Sequence, residues 1–238
     1  MDLDRLKTSE RQKDRDNILF VLWHGGNSHE PDIKYMEKDL VQLIKKKDVL
    51  SDKIGKDIIF GFMGYFPNAL QQFMEYNFPA LTQAGEYDRD IQKHLRNIKV
   101  KGHSGVTYIK GIEVDQFHDY LMFLQPDICF CPLIPNREFN NSKSPIKVIE
   151  SLVAGAAVVA SDIGPYSLIP NDCVIKAKTP AQICQGIQEL IVNEKKRKSL
   201  VETGQRWVKD NYNLQNNISF WYEALKEVKN GKKVLDKS

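Results

Sequence analysis

The sequence has few cysteines and no long apolar segment. Its four cysteines are Cys129, Cys131, Cys173 and Cys184. They form no CxxC pair and have no histidine at metal-ligand spacing, which argues against a zinc site and against a disulfide framework. The longest apolar run, residues 152–160, is about half of the roughly 20 residues that a membrane-spanning helix needs. Residues 1–16 are mostly charged and lack the apolar core of a signal peptide, so we predict a soluble, cytoplasmic protein with reduced cysteines.

Composition and charge exclude several further classes. An apolar content of 42% and a charged content of 27% are typical of folded domains and argue against disorder or fibrous repeats. The 34 basic and 31 acidic residues are mixed along the chain, so the net charge of +3 gives no reason to predict nucleic-acid binding. The basic clusters at 45–47 and 195–198 are interpreted as solvated helix faces, and a peripheral membrane contact is the alternative.

Short apolar runs rich in strand-forming residues alternate with helical patterns. The predicted strands are residues 17–23, 57–62, 106–109, 127–131, 157–160 and 173–176. The predicted helices are 31–47, a segment from about 67, 113–124, 145–154 and further helices from 180. This alternation predicts an α/β fold with a doubly wound, Rossmann-like parallel sheet and helices on both faces. Residues 78–101 are predicted as a loop with some helix.

The length of 238 residues suits one large domain with short extensions. We predict a charged leader at 1–16, the α/β domain at 17–212, and a C-terminal helix with a basic tail at 213–238. The last helix has one apolar stripe, formed by Leu214, Ile218, Trp221, Leu225 and Val228. Such a stripe predicts a helix that packs on the body of the domain.

The segment around Ser144 and Pro145 carries the strongest functional signal. Ligands of open parallel sheets bind beyond the carboxyl ends of the strands, and this segment follows the predicted strand 127–131. Ser144 is predicted as the N-cap of a helix with Pro145 at its first position. Free amide groups at that helix end, together with Lys143 and Lys147, predict an anion site that suits a diphosphate.

Glu150 follows one helical turn after Lys147. If Ile146, Ile149 and Val153 form the buried stripe of this helix, the helix presents Lys147, Glu150, Ser151 and Ala154 on another side. A carboxylate in that position can accept hydrogen bonds from the two hydroxyls of a ribose. The alternative is an exposed ion pair between Lys147 and Glu150 behind a simple helix cap.

The motifs of this region resemble the donor-binding domain of retaining GT-B glycosyltransferases, particularly those that build bacterial surface polysaccharides. The central motif is Phe139-Asn140-x-x-Lys143-Ser144-x-Ile146-Lys147-x-x-Glu150, followed by Ala154-Gly155, Val158-Val159-Ala160-Ser161 and Gly164-Pro165-Tyr166. Gly25-Gly26-x-Ser28-His29 with Asp32, and Asp127-Ile128 with Pro132-Leu133, extend the likeness. The resemblance covers about residues 17–212 and implies a single GT-B half, the C-terminal donor domain.

The resemblance implies a role for each matched position. Glu150 is expected to bind the donor ribose. The diphosphate is expected near Lys143, Ser144, Lys147, Gly25, Gly26 and His29. Gly111 and Ile112 are expected beside the nucleobase, and Asn140 and Ser142 beside the sugar. The substrate is a nucleoside-diphosphate sugar, and the resemblance implies no bound metal or other cofactor.

Two positions depart from the pattern of the resembled family. Many of its members carry a second glutamate eight residues before the ribose-binding one, where this sequence has Ser142. The first loop also lacks an arginine, which leaves His24 or His29 as the substitute. His29 can equally be a helix cap or a packed side chain, and a metal site of His24, His29 and Asp32 is disfavoured.

The resemblance implies transfer of the sugar to a saccharide or lipid-linked acceptor held by a second domain, for which this sequence has no room. Three interpretations follow: an excised domain, one subunit of a split transferase, or a non-catalytic nucleotide(-sugar)-binding module. A dinucleotide oxidoreductase is disfavoured, because neither Gly25-Gly26 nor Gly61-x-x-Gly64 completes a GxGxxG motif. The expected partners are a nucleotide-sugar donor and an acceptor-binding domain or subunit.

Overall fold

The structure, a computed structural model, describes residues 17–77, 82–84 and 105–229. The predicted leader, the end of the basic tail and most of the predicted loop 78–101 lie outside these residues. The strands are β1 (Ile18–Gly25), β2 (Asp57–Gly64), β3 (Thr82–Ala84), β4 (Val106–Ile109), β5 (Ile128–Cys131), β6 (Ala157–Ser161) and β7 (Val174–Ala177). The helices are α1 (Glu30–Lys34), α2 (Glu37–Lys45), α3 (Lys47–Ile54), α4 (Asn68–Asn77), α5 (Val114–Leu124), α6 (Glu138–Asn141), α7 (Ile146–Val153), α8 (Pro180–Val192), α9 (Glu194–Tyr212) and α10 (Leu214–Lys229).

The seven described strands form one parallel sheet in the order β3-β4-β2-β1-β5-β6-β7. Without the three-residue edge strand β3, the order is the 3-2-1-4-5-6 of a Rossmann fold. Strand β1 lies at the centre of the sheet, with β2, β4 and β3 on one side of it and β5, β6 and β7 on the other. The point where the strand order reverses therefore lies beside β1, and the predicted doubly wound fold is confirmed.

The strands are buried on both faces, and β1 shows why. Phe20 and Leu22 belong to the hydrophobic core on one face, while Val21 and Trp23 belong to the core on the other face. All four side chains are fully buried. Because each strand contributes side chains to both cores, its sequence is a continuous apolar run rather than an alternation of apolar and polar residues. Helices α5 and α7 cover the first face, and α1 to α4 with α8 cover the second.

The predicted helix 31–47 is in fact three helices. The helical region is broken after Lys34 and after Lys45 into α1, α2 and α3, and it continues to Ile54. Gly55 then ends α3 in the left-handed conformation, with φ at +66°. Glycine adopts this conformation without the steric penalty of a Cβ atom, so it is a common helix terminator.

Cys129 and Cys131 are fully buried core residues of β5, as predicted, and the four cysteines are unpaired. In the described part of the chain, no three or more His, Cys, Asp or Glu side chains are grouped so that they could hold a metal ion. Within the same residues, no helix combines the length and the apolar character needed to cross a bilayer.

The prediction that the stripe on the last helix packs on the domain body is wrong. Its five side chains, from Leu214 to Val228, are between 43% and 66% exposed. Helix α10 is held at its start by the Asn217 amide, which donates to the carbonyls of Asn211 and Asn213. The stripe then points to solvent. Its alternating spacing of four and three residues is the pattern that packs against another helix.

Two tryptophans near the C-terminus provide a test of this arrangement. Trp221→Ala on α10 should change the free energy of unfolding by less than about 0.5 kcal/mol, because its side chain is 60% exposed. Trp207→Ala on α9 should lower it by about 2 kcal/mol or more, because Trp207 packs against the core. Urea unfolding followed by circular dichroism measures both. Equal losses in the two variants would contradict the exposed position of α10.

Candidate functional site

A cavity of about 340 Å³ opens at the carboxyl edge of the sheet, next to the point where the strand order reverses. Its walls come from the loops after β1, β2 and β4 and from helices α5 and α7. The lining residues are His24, Gly25, Gly26, His29, Met63, Gly64, Gly111, Ile112, Val114, Phe117, Ile146, Lys147 and Glu150. Both the position and the size are those of a ligand pocket in an open α/β sheet.

Glycine backbone contributes part of the lining. Gly25 and Gly64 lie side by side in register at the ends of β1 and β2. A Cβ atom on Gly64 would collide with the carbonyl oxygen of Gly25, and its φ of +95° is one that other residues rarely adopt. The space beside Gly26, by contrast, is open. A ligand in the cavity can therefore approach the main chain directly.

Lys147 lies in the first turn of α7 and lines the cavity. Two details of the predicted helix are wrong here. The helix begins at Ile146, with Pro145 as its N-cap and no side-chain cap from Ser144. Lys147 is 4% exposed and Ile146 is 44% exposed, which is the reverse of the predicted stripe. The reason is that Lys147 reaches over the indole ring of Trp23, with Nζ 4.4 Å from the ring centroid.

The ammonium group of Lys147 is buried without a hydrogen-bond partner among the described residues. Burial lowers the pKa of Lys147 from the ordinary 10.5 to about 8. The side chain is therefore still mostly charged at pH 7, with its ammonium group over the face of Trp23. A buried cation left in this way is costly in free energy, and an anion in the cavity would offset that cost.

Lys143 has a different environment from Lys147. Its Nζ lies 2.8 Å from Asp32 Oδ2 and 5.0 Å from the centroid of the Phe139 ring. Asp32 is fully buried, and its other oxygen accepts hydrogen bonds from the Ile134 amide and from Asn140 Nδ2. Lys143 and Asn140 thus hold the loop after β5 against α1, and neither lines the cavity.

The Asp32 carboxylate stays ionised because of these contacts. Burial by itself would raise the pKa of Asp32, but the hydrogen bonds from His29, Lys143, the Ile134 amide and Asn140 outweigh it. They hold the pKa well below its usual range. A carboxylate with this many donors is stable as the anion throughout the neutral range.

The two histidines of the first loop are buried to different degrees and are not positive charges. Burial, followed by the charge of Lys147, lowers the pKa of His24 well below its ordinary value. Its Nε2 lies 3.0 Å from Ser151 Oγ. Burial also lowers the pKa of His29, whose Nδ1 lies 3.2 Å from both Asp32 Oδ2 and Lys143 Nζ. Neither ring substitutes as a cation for an arginine at neutral pH.

Glu150 lines the cavity and contacts a residue that the sequence analysis missed. Its Oε1 lies 3.0 Å from Nε2 of His118, which lies on α5. Burial raises the pKa of Glu150, while His118 and Lys147 act in the opposite direction. No spacing in the sequence connects His118 to Glu150, because the two residues lie on different helices that meet only in the fold.

Seven of the eleven predicted site residues line the same cavity. They are Gly25, Gly26, His29, Gly111, Ile112, Lys147 and Glu150. The other four do not line it: Lys143 and Asn140 bind Asp32, and Ser142 and Ser144 are exposed on the loop before α7. Gly64 and Phe117 also line the cavity and were not predicted. Gly64 had a signal, since it ends a strand at the ligand-binding edge, whereas Phe117 reads as an ordinary apolar helix residue.

Comparison with known proteins agrees with this fold. No protein-family model and no curated protein sequence matches the chain. Among solved structures, the Anabaena protein Alr3699/HepE in complex with UDP-glucose matches with a TM-score of 0.56 and 12% identity, over 95% of this chain and 55% of that one. WaaG, a glycosyltransferase involved in lipopolysaccharide biosynthesis, matches with a TM-score of 0.52 and 12% identity, over 90% of this chain and 51% of that one.

A third match is the UDP-forming α,α-trehalose-phosphate synthase of Burkholderia xenovorans. It has a TM-score of 0.53 and 9% identity, over 90% of this chain and 44% of that one. The chain thus spans about half the length of the solved structures that it matches. At these identities the likeness concerns the fold. The chain has the Rossmann-like α/β fold of one half of a GT-B glycosyltransferase.

Proposed function

We propose that this chain is the donor-binding half of a glycosyltransferase and binds a nucleoside-diphosphate sugar in the cavity beside β1. One observation carries the proposal: the Lys147 ammonium is buried, lines the cavity and has no hydrogen-bond partner in the described part of the chain. A diphosphate supplies both the negative charge and the acceptor oxygens that this group lacks. The position of Lys147 in the first turn of α7 adds the favourable end of a helix dipole.

The other walls of the cavity suit the remaining parts of such a ligand. Glu150 lies one turn further along α7 and can accept a hydrogen bond from a ribose hydroxyl. Ile112 and Phe117 line the cavity with apolar surface, against which a nucleobase can pack. The HepE structures contain UDP or UDP-glucose, so uridine nucleotides are the first ligands to test.

In this proposal the chain stabilises the leaving group of the transfer reaction. The bond between the anomeric carbon and the diphosphate oxygen breaks, the electron pair leaves with the nucleoside diphosphate, and the acceptor oxygen forms the new bond. The Lys147 ammonium stabilises the negative charge that develops on the leaving diphosphate. No bound metal is required for this role, because a protein cation supplies the compensating charge.

The acceptor, a saccharide or a lipid-linked saccharide, is bound by another domain or subunit in this proposal. The exposed apolar stripe on α10 supports such a partner, since a row of large apolar side chains at helix-pairing spacing is typical of an interaction surface. Donor binding needs only the cavity of this chain. It can therefore be measured without the partner.

From a panel of UDP, GDP, TDP and CMP with their sugar conjugates, we expect this chain to bind one of the three nucleoside diphosphates and not CMP, which has a single phosphate. Lys147→Met should weaken that binding by roughly 10- to 100-fold, the value of a hydrogen bond to a charged group. Lys178→Met is the control, since Lys178 is an exposed lysine outside the cavity, and its affinity should change less than threefold. Isothermal titration calorimetry measures all three proteins. No binding by the folded wild type would contradict the proposal.

The role of Glu150 can be tested separately by removing the 2′-hydroxyl of the ligand. If Glu150 accepts a ribose hydroxyl, the wild type should bind UDP more tightly than 2′-deoxy-UDP by about 10-fold. Glu150→Gln, which keeps the shape but not the charge, should reduce this ratio to about 2-fold or less. An unchanged ratio in the variant would exclude Glu150 from the ribose site while leaving the diphosphate site intact.

Binding should also depend on pH in a way that Lys147 determines. Bound diphosphate raises the pKa of Lys147 above its free value of about 8, so the charged form binds more tightly. Affinity should be constant below pH 8 and should fall by up to about tenfold per unit as the pH rises above it. Lys147→Arg, which keeps its charge, should show no such fall. A wild-type affinity that is flat from about pH 7 to pH 9.5 would refute this coupling.

Without ligand, the same lysine should destabilise the fold. Because the folded-state pKa of about 8 is below the ordinary 10.5, the unfolded chain binds more protons between these values, and stability rises with pH across that window. Below pH 8, keeping the buried Lys147 ammonium charged lowers the free energy of unfolding by about 3 kcal/mol. Lys147→Met should therefore stabilise the free protein by about 1–3 kcal/mol at pH 7, and the gain should shrink towards pH 10.

Urea unfolding of the wild type, Lys147→Met and Lys143→Met at several pH values measures this difference. Lys143→Met should do the opposite and destabilise the protein by about 3 kcal/mol, because it leaves the buried Asp32 carboxylate without its cation. A destabilised Lys147→Met at pH 7 would mean that the lysine is a structural residue rather than one retained for a ligand.

A further inference from the structure

We infer that His118 is a positioning residue for Glu150. It fixes the orientation and the charge of the Glu150 carboxylate, which binds the ribose in the proposed function. The inference rests on the proposed function, because it assigns to His118 a part in recognising the ribose hydroxyl. His118 itself does not line the cavity, so it acts through Glu150.

The two oxygens of the Glu150 carboxylate have different surroundings. His118 Nε2 lies 3.0 Å from Oε1 and approaches from α5, whereas the carboxylate lies on α7. The Glu150 side chain is 13% exposed and the His118 side chain is 39% exposed. With Oε1 held by the imidazole, rotation of the carboxylate is restricted, and Oε2 is left to accept a hydroxyl from the ligand.

The His118 ring is itself held in place by its neighbour. It packs edge-to-face on Phe117, with ring centroids 5.5 Å apart and an interplanar angle of 72°. Phe117 lines the cavity and also contacts the ring of His24 on β1, with centroids 5.5 Å apart. The donor to Glu150 therefore belongs to a packed aromatic group and not to a freely rotating surface side chain.

The hydrogen bond from His118 has a second effect on the same carboxylate. Burial raises the pKa of Glu150, and the groups that oppose this are His118 on α5 and Lys147 on α7. The other titratable groups near them are His24 on β1, whose pKa burial lowers, and Cys131 on β5 and Tyr166 after β6, whose pKa values burial raises. Removing the His118 donor raises the pKa of Glu150 further, because one of the groups that oppose the effect of burial is lost. A protonated carboxyl is a poorer acceptor for a ribose hydroxyl.

Two substitutions separate this role from simple packing. His118→Phe keeps an aromatic ring beside Phe117 and removes the donor, while His118→Gln keeps an N–H donor of similar reach and cannot titrate. For each protein we would measure the affinities for UDP and 2′-deoxy-UDP by calorimetry at about pH 6 and pH 8, with the unfolding temperature as a control for folding.

We expect His118→Phe to reduce the preference for UDP over 2′-deoxy-UDP by about threefold or more, with a larger loss at pH 6 than at pH 8, because more Glu150 is protonated at the lower pH. His118→Gln should retain the wild-type preference. A role in packing alone would weaken both nucleotides equally and leave their ratio unchanged.

The outcomes distinguish this inference from the function on which it rests. If Glu150→Gln lowers the UDP preference and His118→Phe does not, His118 has no positioning role, although donor binding stands. Loss of the preference in His118→Gln as well as in His118→Phe would also overturn the inference, because the N–H donor would not be the active feature. A wild type that binds neither nucleotide would overturn the proposed function itself.

Discussion

Asp32 lies just after the first strand, and its buried carboxylate joins the two halves of the fold where the strand order reverses. It accepts hydrogen bonds from the Ile134 amide and from Asn140 Nδ2, and it binds the Lys143 ammonium. These groups come from the segment between β5 and α7, whereas Asp32 lies on the helix after β1. An unpaired carboxylate would not be tolerated at this depth, so the contacts fix the loop, and the loop fixes the start of α7. The cavity exists because α7 is placed in this way.

Lys143 and Lys147 show how one short segment serves both stability and binding. They lie four residues apart and are chemically identical, yet among the residues that the structure describes Lys143 forms an ion pair with a carboxylate and Lys147 has no hydrogen-bond partner. Lys143 holds the loop in position. Lys147 is charged and buried beside a cavity whose lining includes glycine main chain. A fold that satisfies one buried cation so fully and leaves its neighbour without a partner is typical of a binding site, where stability is lost for the sake of a ligand.

The sequence predicted the sheet well, because buried parallel strands read as apolar runs separated by helices, and it placed most cavity residues from the strand ends. It could not predict which side of α7 is buried. Ile146 looked like a core residue and Lys147 like a surface one, but their burial depends on Trp23, which is far away in the chain. His118 was missed for the same reason. The error on α10 is different, since an apolar stripe indicates that something covers a helix and not what covers it.

A crystal structure of this chain soaked with UDP tests the central claim most directly, since it locates the ligand instead of inferring its position from variants. We expect the diphosphate within hydrogen-bonding distance of Lys147 Nζ, in the cavity beside Gly25 and Gly26, and the ribose against Glu150. Nucleotide bound at another surface, or no density in the cavity at a saturating concentration of UDP, would contradict it.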